Sequence, residues 1–368
     1  MKFKICYQKI FVFIVFMMLI FPLTKINMED ISQTENRTLA KFPEKVDNEF
    51  SNKIELFIND RFRGRDKLLK ISNTMEENMI GYPIGKKAAI GKDGWIFYTG
   101  DNSILNFQNK ILFTEFDLEN VKNSILKKKE ILAKRGIKYY VMIAPDKNRI
   151  YGECYIPFIN KVNDCGRAEQ LVKFLRENDI DIIYPKDVIE ANKVNGNLYY
   201  KLDTHWNTYG AFLGYSVLMD EIIKDSNSNN SINKLKIEDY RIITTEESGG
   251  DLLGMLNITR ETVDSSLTTL KLEKNNDYKY QYIQNEGNKG VETINTAPLN
   301  NKRVYMLRDS FTNAMVPYIS ESFSHVKYNW TGDFNQVYPE IIQDNPDIVI
   351  QEIVERSIIC LTQDITVE

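Results

Sequence analysis

Residues 304–311 read Val304-Tyr305-Met306-Leu307-Arg308-Asp309-Ser310-Phe311. An apolar run passes straight into a charged pair and then a serine, as in a buried strand that ends in a turn. A serine at a strand-to-helix turn is where an esterase-type nucleophile sits. The pattern recurs along the chain. Ile137–Ala144 is predicted as a buried strand broken by Pro145, and Ile180–Tyr184, His325–Tyr328 and Asp347–Glu352 as further strands. Helices are predicted over 117–135, stopped by Gly136, over about 166–178, and after Asn207, an N-cap for a helix carrying Ala211, Leu213, Tyr215 and Leu218. Strands alternating with helices predict an α/β fold with a parallel sheet covered on both faces, a three-layer α/β/α arrangement.

The 368 residues contain only two histidines, and one lies in Asp203-Thr204-His205-Trp206-Asn207. An Asp two residues before a His can accept its Nδ1–H, which fixes the tautomer and leaves Nε2 free to take a proton. With Ser310 this makes a candidate Ser-His-Asp set in the chain order Asp203, His205, Ser310. The competing readings are a satisfied structural histidine and a serine that caps a helix. In an open α/β sheet, function gathers outside the carboxyl ends of the strands. Asp146-Lys147-Asn148-Arg149, Asp203/His205, Arg308-Asp309-Ser310 and Glu355-Arg356 all fall at such ends. Lys147, Asn148 and Arg149 are candidate oxyanion donors, against a plain polar turn. Arg356 is a candidate for positioning substrate, against a surface ion pair. Trp206 and Trp95 read as packing residues, although an exposed Trp can stack on a sugar ring, and Trp206 stands with Arg356 as a candidate for orienting an acceptor glycan. His325 reads as a core or surface residue.

The composition is 43% hydrophobic and 27% charged, enough to bury a sizeable core. Lys and Arg number 47 against 51 Asp and Glu, so no basic excess calls for nucleic acid as a partner. Cys6, Cys154, Cys165 and Cys360 show no paired Cys-x-x-Cys spacing, and no metal site is expected. Cys154 and Cys165 bracket a Pro-containing loop and read equally as a disulfide in an exported domain or as two free thiols.

Lys2, Lys4 and Lys9 precede the apolar run Ile10–Phe21. From Ile10 to Leu23 a helix spans about 21 Å, but starting at Ile5 with Lys9 snorkelling it reaches about 28 Å, close to a hydrocarbon core. Pro22-Leu23-Thr24-Lys25-Ile26 is a poor cleavage site, so residues 1–24 are predicted as an uncleaved signal anchor. The expected organisation is that anchor, a helical extension over 25–90 that includes an amphipathic helix at 46–60, and a catalytic domain over 91–368. Gly91-Lys92-Asp93-Gly94 is a turn feeding the strand Trp95–Tyr98. Residues from about 225 to 300 break the α/β rhythm and read as an insertion of short strands or an excursion from the sheet.

Several of these segments together resemble the SGNH-hydrolase-like O-acetyltransferases of the alginate acetylation type and their Gram-positive relatives defined by an Asp-x-His-Trp motif. The matching segments are Glu35–Leu39 with Pro43, Phe57–Phe62 with Arg65, Gly91–Tyr98, Asp203–Trp206, Gly250-Asp251-Leu252, Asp309-Ser310-Phe311 and Glu355-Arg356. The resemblance implies a permuted SGNH sheet in which the Asp/His block precedes the Ser block. It further implies Ser310 as nucleophile, His205 as general base and Asp203 as its orienter, with no cofactor. It implies transfer of an acetyl group through acyl-Ser310 to a polysaccharide hydroxyl outside the cell, with a membrane-bound O-acyltransferase as acetyl donor. The anchor would hold the domain beside that donor. The chain departs from the family where Arg308 replaces the usual Gly two residues before the nucleophile, which places a long side chain beside the oxyanion position. An exterior acetyl esterase and a non-catalytic polysaccharide-binding subunit are the alternatives.

Overall fold

The computed structural model describes residues 87–226, 232–259, 267–285 and 290–367, and before them residues 16, 26–28, 31–32, 37–43, 45–46, 50–62 and 64. Apart from Phe16, the expected anchor lies outside the described residues. Among the described residues no helix is long and apolar enough to cross a membrane. Of the predicted helix at 46–60, Phe50–Arg61 is helical (α1). Its last residue fastens it to the chain before it: Arg61 Nη1 donates to Asn27 O at 2.8 Å and Nε to Ala40 O at 2.6 Å.

A hairpin of β1 (Ala88–Ile90) and β2 (Ile96–Tyr98) comes next. α2 (Glu115–Ala133) opens on a capping box, Thr114 Oγ1 accepting from Asp117 N and Asp117 Oδ2 from Thr114 N. The chain leaves it through Gly136 at φ +73°, a left-handed position that glycine takes without steric cost. β3 (Lys138–Ala144), α3 (Arg167–Glu177) and α4 (Thr208–Lys224) follow. As predicted, Asn207 caps α4, its Oδ1 accepting from Tyr209 N and Gly210 N at 3.0 Å each. β4 (Tyr240–Glu246) and β5 (Thr268–Lys274) form a separate hairpin, followed by β6 (Tyr280–Asn285) and β7 (Val291–Asn295). β8 (Asn300–Arg308), α5 (Val316–Ser322), β9 (Phe323–Trp330), α6 (Phe334–Asp344) and β10 (Ile348–Val354) complete the chain.

The main sheet has the order β3-β10-β8-β9-β7-β6. Its first four strands are parallel, but β7 and β6 join antiparallel, so the sheet is mixed rather than the parallel one expected. The reason is local. Only residues 286–290 link β6 to β7, whereas a parallel pair needs a crossover of a dozen residues or more. This part of the 225–300 stretch therefore extends the sheet. At the other edge the predicted strand Ile180–Tyr184 reduces to a single bridge, Met142 with Ile183, before Pro185.

Side chains alternate along each central strand. Val141, Ile143, Tyr305, Leu307 and Val349 face a core shared with α2, α3 and α6. Met142, Ala144, Val304, Met306 and Ile350 face another shared with α4 and α5. Both faces are covered, which accounts for near-continuous apolar strands and gives the three layers predicted. Cys154 and Cys165 are free thiols.

Candidate active site

Three chain segments meet beyond the carboxyl ends of β3, β8 and β10. The first is a tight reversal. Tyr199 and Trp206 bridge antiparallel, and Asn207 N donates to Leu198 O at 2.9 Å, which puts Asp203 and His205 at the tip. Asp203 Oδ1 accepts from His205 N at 3.0 Å and lies 2.6 Å from His205 Nδ1. Its Oδ2 accepts from Asp251 N at 3.2 Å. Burial acts to raise the Asp203 carboxyl, but the hydrogen bonds and charge of His205 outweigh it and hold the group down at about 2. A carboxylate on Nδ1 places the neutral ring's proton there and its lone pair on Nε2. That Nε2 atom is buried and makes no hydrogen bond among the described residues.

The second segment is the serine turn. Ser310, half-buried, begins a 3₁₀ turn, Ser310–Ala314, capped by Asp309 Oδ1, which accepts from Phe311 N at 2.9 Å. Asp309 Oδ2 accepts from Val354 N at 2.7 Å and so ties the turn to the end of β10. Glu352 on β10 supports it from below, accepting from Asp309 N at 3.2 Å and Thr312 Oγ1 at 2.8 Å. Burial and the neighbouring Asp309 push the Glu352 carboxyl far above its usual range. Phe311 joins the serine turn to the histidine. Its carbonyl accepts from Trp206 Nε1 at 2.9 Å and its ring lies 4.9 Å from that of His205. Ser310 thus adjoins the residue packed on His205, and no hydrogen bond links Ser310 to His205 in this structure.

The third segment connects β3 to β10 through buried charges. Arg356 Nη1 pairs with Asp146 Oδ1 at 2.5 Å, and Arg149 Nε with Glu355 Oε1 at 2.9 Å. Burial pushes Asp146 up to about 6 in spite of Arg356. Arg356 is therefore a half-buried partner of the buried Asp146, not half of a surface pair, and its guanidinium lies 5.5 Å from the Phe311 ring.

The remaining expected residues divide clearly. Trp206 is 0% exposed with its indole N–H already bonded, so it cannot stack on a sugar. Lys147 is buried and spends its ammonium on the carbonyls of Tyr200, Lys201 and Asp203, so it is not an oxyanion donor. Arg308 turns away onto Trp330, 4.4 Å from the ring, with Nη1 on Asn313 Oδ1 at 2.6 Å. Asn148 is buried and, with Asp146, Thr204 and Arg356, lines a cavity of about 10 Å³, room for one water and no more. His325 bonds Glu292 on the neighbouring strand β7, away from His205.

Glu247, Asp251 and Glu352 were not picked out as site residues. Only Asp251 carried a sequence signal, the Gly249-Gly250 pair before it. A Cβ on Gly250 would come within 2.2 Å of Leu202 O, so the close approach that brings Asp251 to the Asp203 loop demands glycine. Asp203, His205 and Asp251 each offer a ligand atom within 4.8 Å of one another. However, Asp203 Oδ1 is engaged by His205, and both Asp251 oxygens accept from Thr204, at 2.9 and 2.7 Å. Only His205 Nε2 is left without a partner, one ligand where a catalytic zinc takes three.

A family model described as SGNH hydrolase-like domain, acetyltransferase AlgX, matches residues 88–289, more than half of the chain. The chain belongs to this family. The AlgX-type match takes in Asp203 and His205, and Ser310 lies beyond its end. Among solved structures, Bacillus cereus PatB1 is similar at 18% identity and TM-score 0.55, over 74% of this chain and 97% of that one. PatB1 with a sulfonyl adduct matches at 17% identity and TM-score 0.53, over 75% and 97%. A DHHW family protein from Eubacterium siraeum matches at 14% identity and TM-score 0.51, over 74% and 92%. At these identities the likeness is one of fold. No curated protein sequence matches the chain.

Proposed function

We propose that this chain is an O-acetyltransferase that takes an acetyl group onto Ser310 and passes it to a hydroxyl of an exported or cell-surface polysaccharide. The observation that carries the reading is the 2.6 Å contact of Asp203 with His205 Nδ1, with Nε2 unpartnered beside the serine turn. In the first half-reaction His205 Nε2 takes the Ser310 hydroxyl proton as Oγ attacks the ester carbonyl of the donor. The imidazolium then returns that proton to the leaving group. In the second, Nε2 takes the proton of a sugar hydroxyl, whose oxygen attacks the acyl carbonyl. Ser310 leaves and is reprotonated. Asp203 stabilises the imidazolium in both. Arg356, whose guanidinium lies 5.5 Å from the Phe311 ring, is the side chain we assign to the acyl oxygen or the acceptor.

The reading includes the setting. Residues 1–24 anchor the chain in the membrane with the catalytic domain outside, and a membrane-bound O-acyltransferase supplies acetyl groups. A bound glycan competes with water for the acyl-enzyme only if the surface orients it, because its effective molarity must exceed about 55 M.

The test is incubation of the full chain with a chromogenic acetyl ester, with and without candidate glycans, tracing the acetyl group by mass spectrometry. The structure of PatB1 with a sulfonyl adduct makes a sulfonyl fluoride a suitable probe. Labelling at Ser310, loss of turnover in Ser310→Ala and acetyl on the glycan are expected. Release of acetate alone identifies an acetyl esterase, and absence of both turnover and labelling identifies a non-catalytic subunit.

A further inference from the structure

The loop that presents Asp203 and His205 has almost no secondary structure of its own, and side chains from elsewhere set its path. On one side lies Lys147, 4% exposed, in the single helical turn that follows β3. Its ammonium donates to Tyr200 O at 3.1 Å, Lys201 O at 3.2 Å and Asp203 O at 2.6 Å. On the other side lies Glu247, 2% exposed. Its Oε2 accepts from Lys201 N at 3.0 Å and its Oε1 from Leu202 N at 2.6 Å. The peptides of 200–203 are thus held between a buried cation and a buried anion, carbonyls toward the first and N–H groups toward the second. Two charges buried this deeply cost the fold free energy unless they are fully hydrogen-bonded. Here both direct their hydrogen bonds to one loop, and that loop carries the pair on which the proposed chemistry depends.

We infer that Lys147 and Glu247 are positioning residues, a two-sided clamp that sets the backbone of residues 200–203 so that Asp203 Oδ1 meets His205 Nδ1. The inference rests on the proposed catalytic role of that pair for its effect on turnover, and on geometry alone for its effect on the pair itself. The shortest of the three Lys147 contacts is to the carbonyl of Asp203, so release of the ammonium frees the residue that orients the histidine. The Trp95 and Phe97 rings, 5.8 and 5.3 Å from Nζ, close the rest of its surroundings. Burial lowers the Lys147 ammonium to about 7 against the pull of Asp203, Asp251 and Glu247, and the three carbonyls it donates to are what favour its charged form.

The chain has only two histidines, so selective ¹⁵N-histidine labelling of the full protein gives a readable signal. The Nδ1–H proton held by Asp203 should resonate far downfield, and a His325→Asn variant assigns it. Lys147→Met and Glu247→Gln nearly preserve shape. Each should weaken or shift that resonance and lower kcat on a chromogenic acetyl ester by about 100-fold, the usual cost of about 1 Å of misplacement. KM should change by less than about threefold, since neither side chain meets the substrate. The double variant should be no worse than the poorer single one, because both act on the same loop. An unchanged Nδ1–H resonance in both variants, or losses that multiply in the double variant, overturns the clamp. If Lys147→Met does not fold, Glu247→Gln decides alone. If His205→Ala keeps full activity while Glu247→Gln loses the resonance, the clamp stands and the catalytic reading fails.

Discussion

Replacing Asp203 by Asn tests the Asp–His pair most directly, because the carboxylate accepts three N–H groups and an amide cannot. If the new NH₂ takes the place of Oδ1, it faces His205 N–H and donates to Nδ1, enforcing the wrong tautomer. If it takes the place of Oδ2, it faces Asp251 N–H instead. Either orientation leaves a donor against a donor at a site that is mostly enclosed, a cost of about 1–3 kcal/mol. A second route gives a similar figure. The Asp203 carboxyl is lowered from an ordinary 3.8 to about 2, and at about 1.4 kcal/mol per tenfold change in proton affinity this amounts to about 2 kcal/mol. Because the folded value lies below the unfolded one, this stabilisation is complete above about pH 4 and is lost as pH falls through 2. Urea denaturation of both proteins should show Asp203→Asn about 2 kcal/mol less stable at pH 7, the gap closing toward pH 2–3. Ester turnover should fall by about 10³–10⁴-fold. A stability gap that ignores pH, or an Asn variant with wild-type turnover, would refute the role given to this carboxylate.

Burial and Asp309 raise the Glu352 carboxyl well above its ordinary value in the folded chain, so the stability it contributes at low pH is lost as pH rises. Glu352→Gln should match the wild type below about pH 4 and exceed it increasingly toward pH 8, as read from urea midpoints. Asn207 caps α4 with two accepted N–H groups and donates to Asn197 O at 2.6 Å. Asn207→Ala should cost about 2 kcal/mol in thermal or chemical denaturation. Cys165 and Cys360 are exposed thiols, so a membrane-impermeant maleimide added to intact cells should label them if the domain lies outside, and labelling only after lysis would contradict that setting.

The central parallel strands were legible because they are buried on both faces and read as apolar runs, as at Ile137–Ala144. Asn207 was legible as a cap because it stands immediately before an apolar periodic segment. The Asp203/His205 contact followed from spacing alone, since two residues in a turn bring one side chain back onto the next. The antiparallel extension was less visible: Tyr280–Asn285 mixes polar and aromatic residues at an edge, where pattern and burial separate poorly. Trp206 could be read as core or as sugar platform until the fold turned it inward. Lys147 looked like part of a polar turn, and Glu247 stands beside Glu246 and Ser248 as if in a solvated loop. Their partners are backbone atoms more than forty residues away, and no local periodicity encodes that kind of contact.

The indole of Trp206 reaches across 105 residues of chain to the carbonyl of Phe311. It is also wedged in the core against α4, where Gly210 and Gly214 leave room for it. The fourth letter of Asp-x-His-Trp is therefore a rivet between the histidine's segment and the serine's, sunk into the hydrophobic interior. Heat that loosens this interior also separates the two segments, so inactivation and core melting should follow one curve. By the same mechanics, a substitution at Trp206 disturbs the core and the joint between the two segments together.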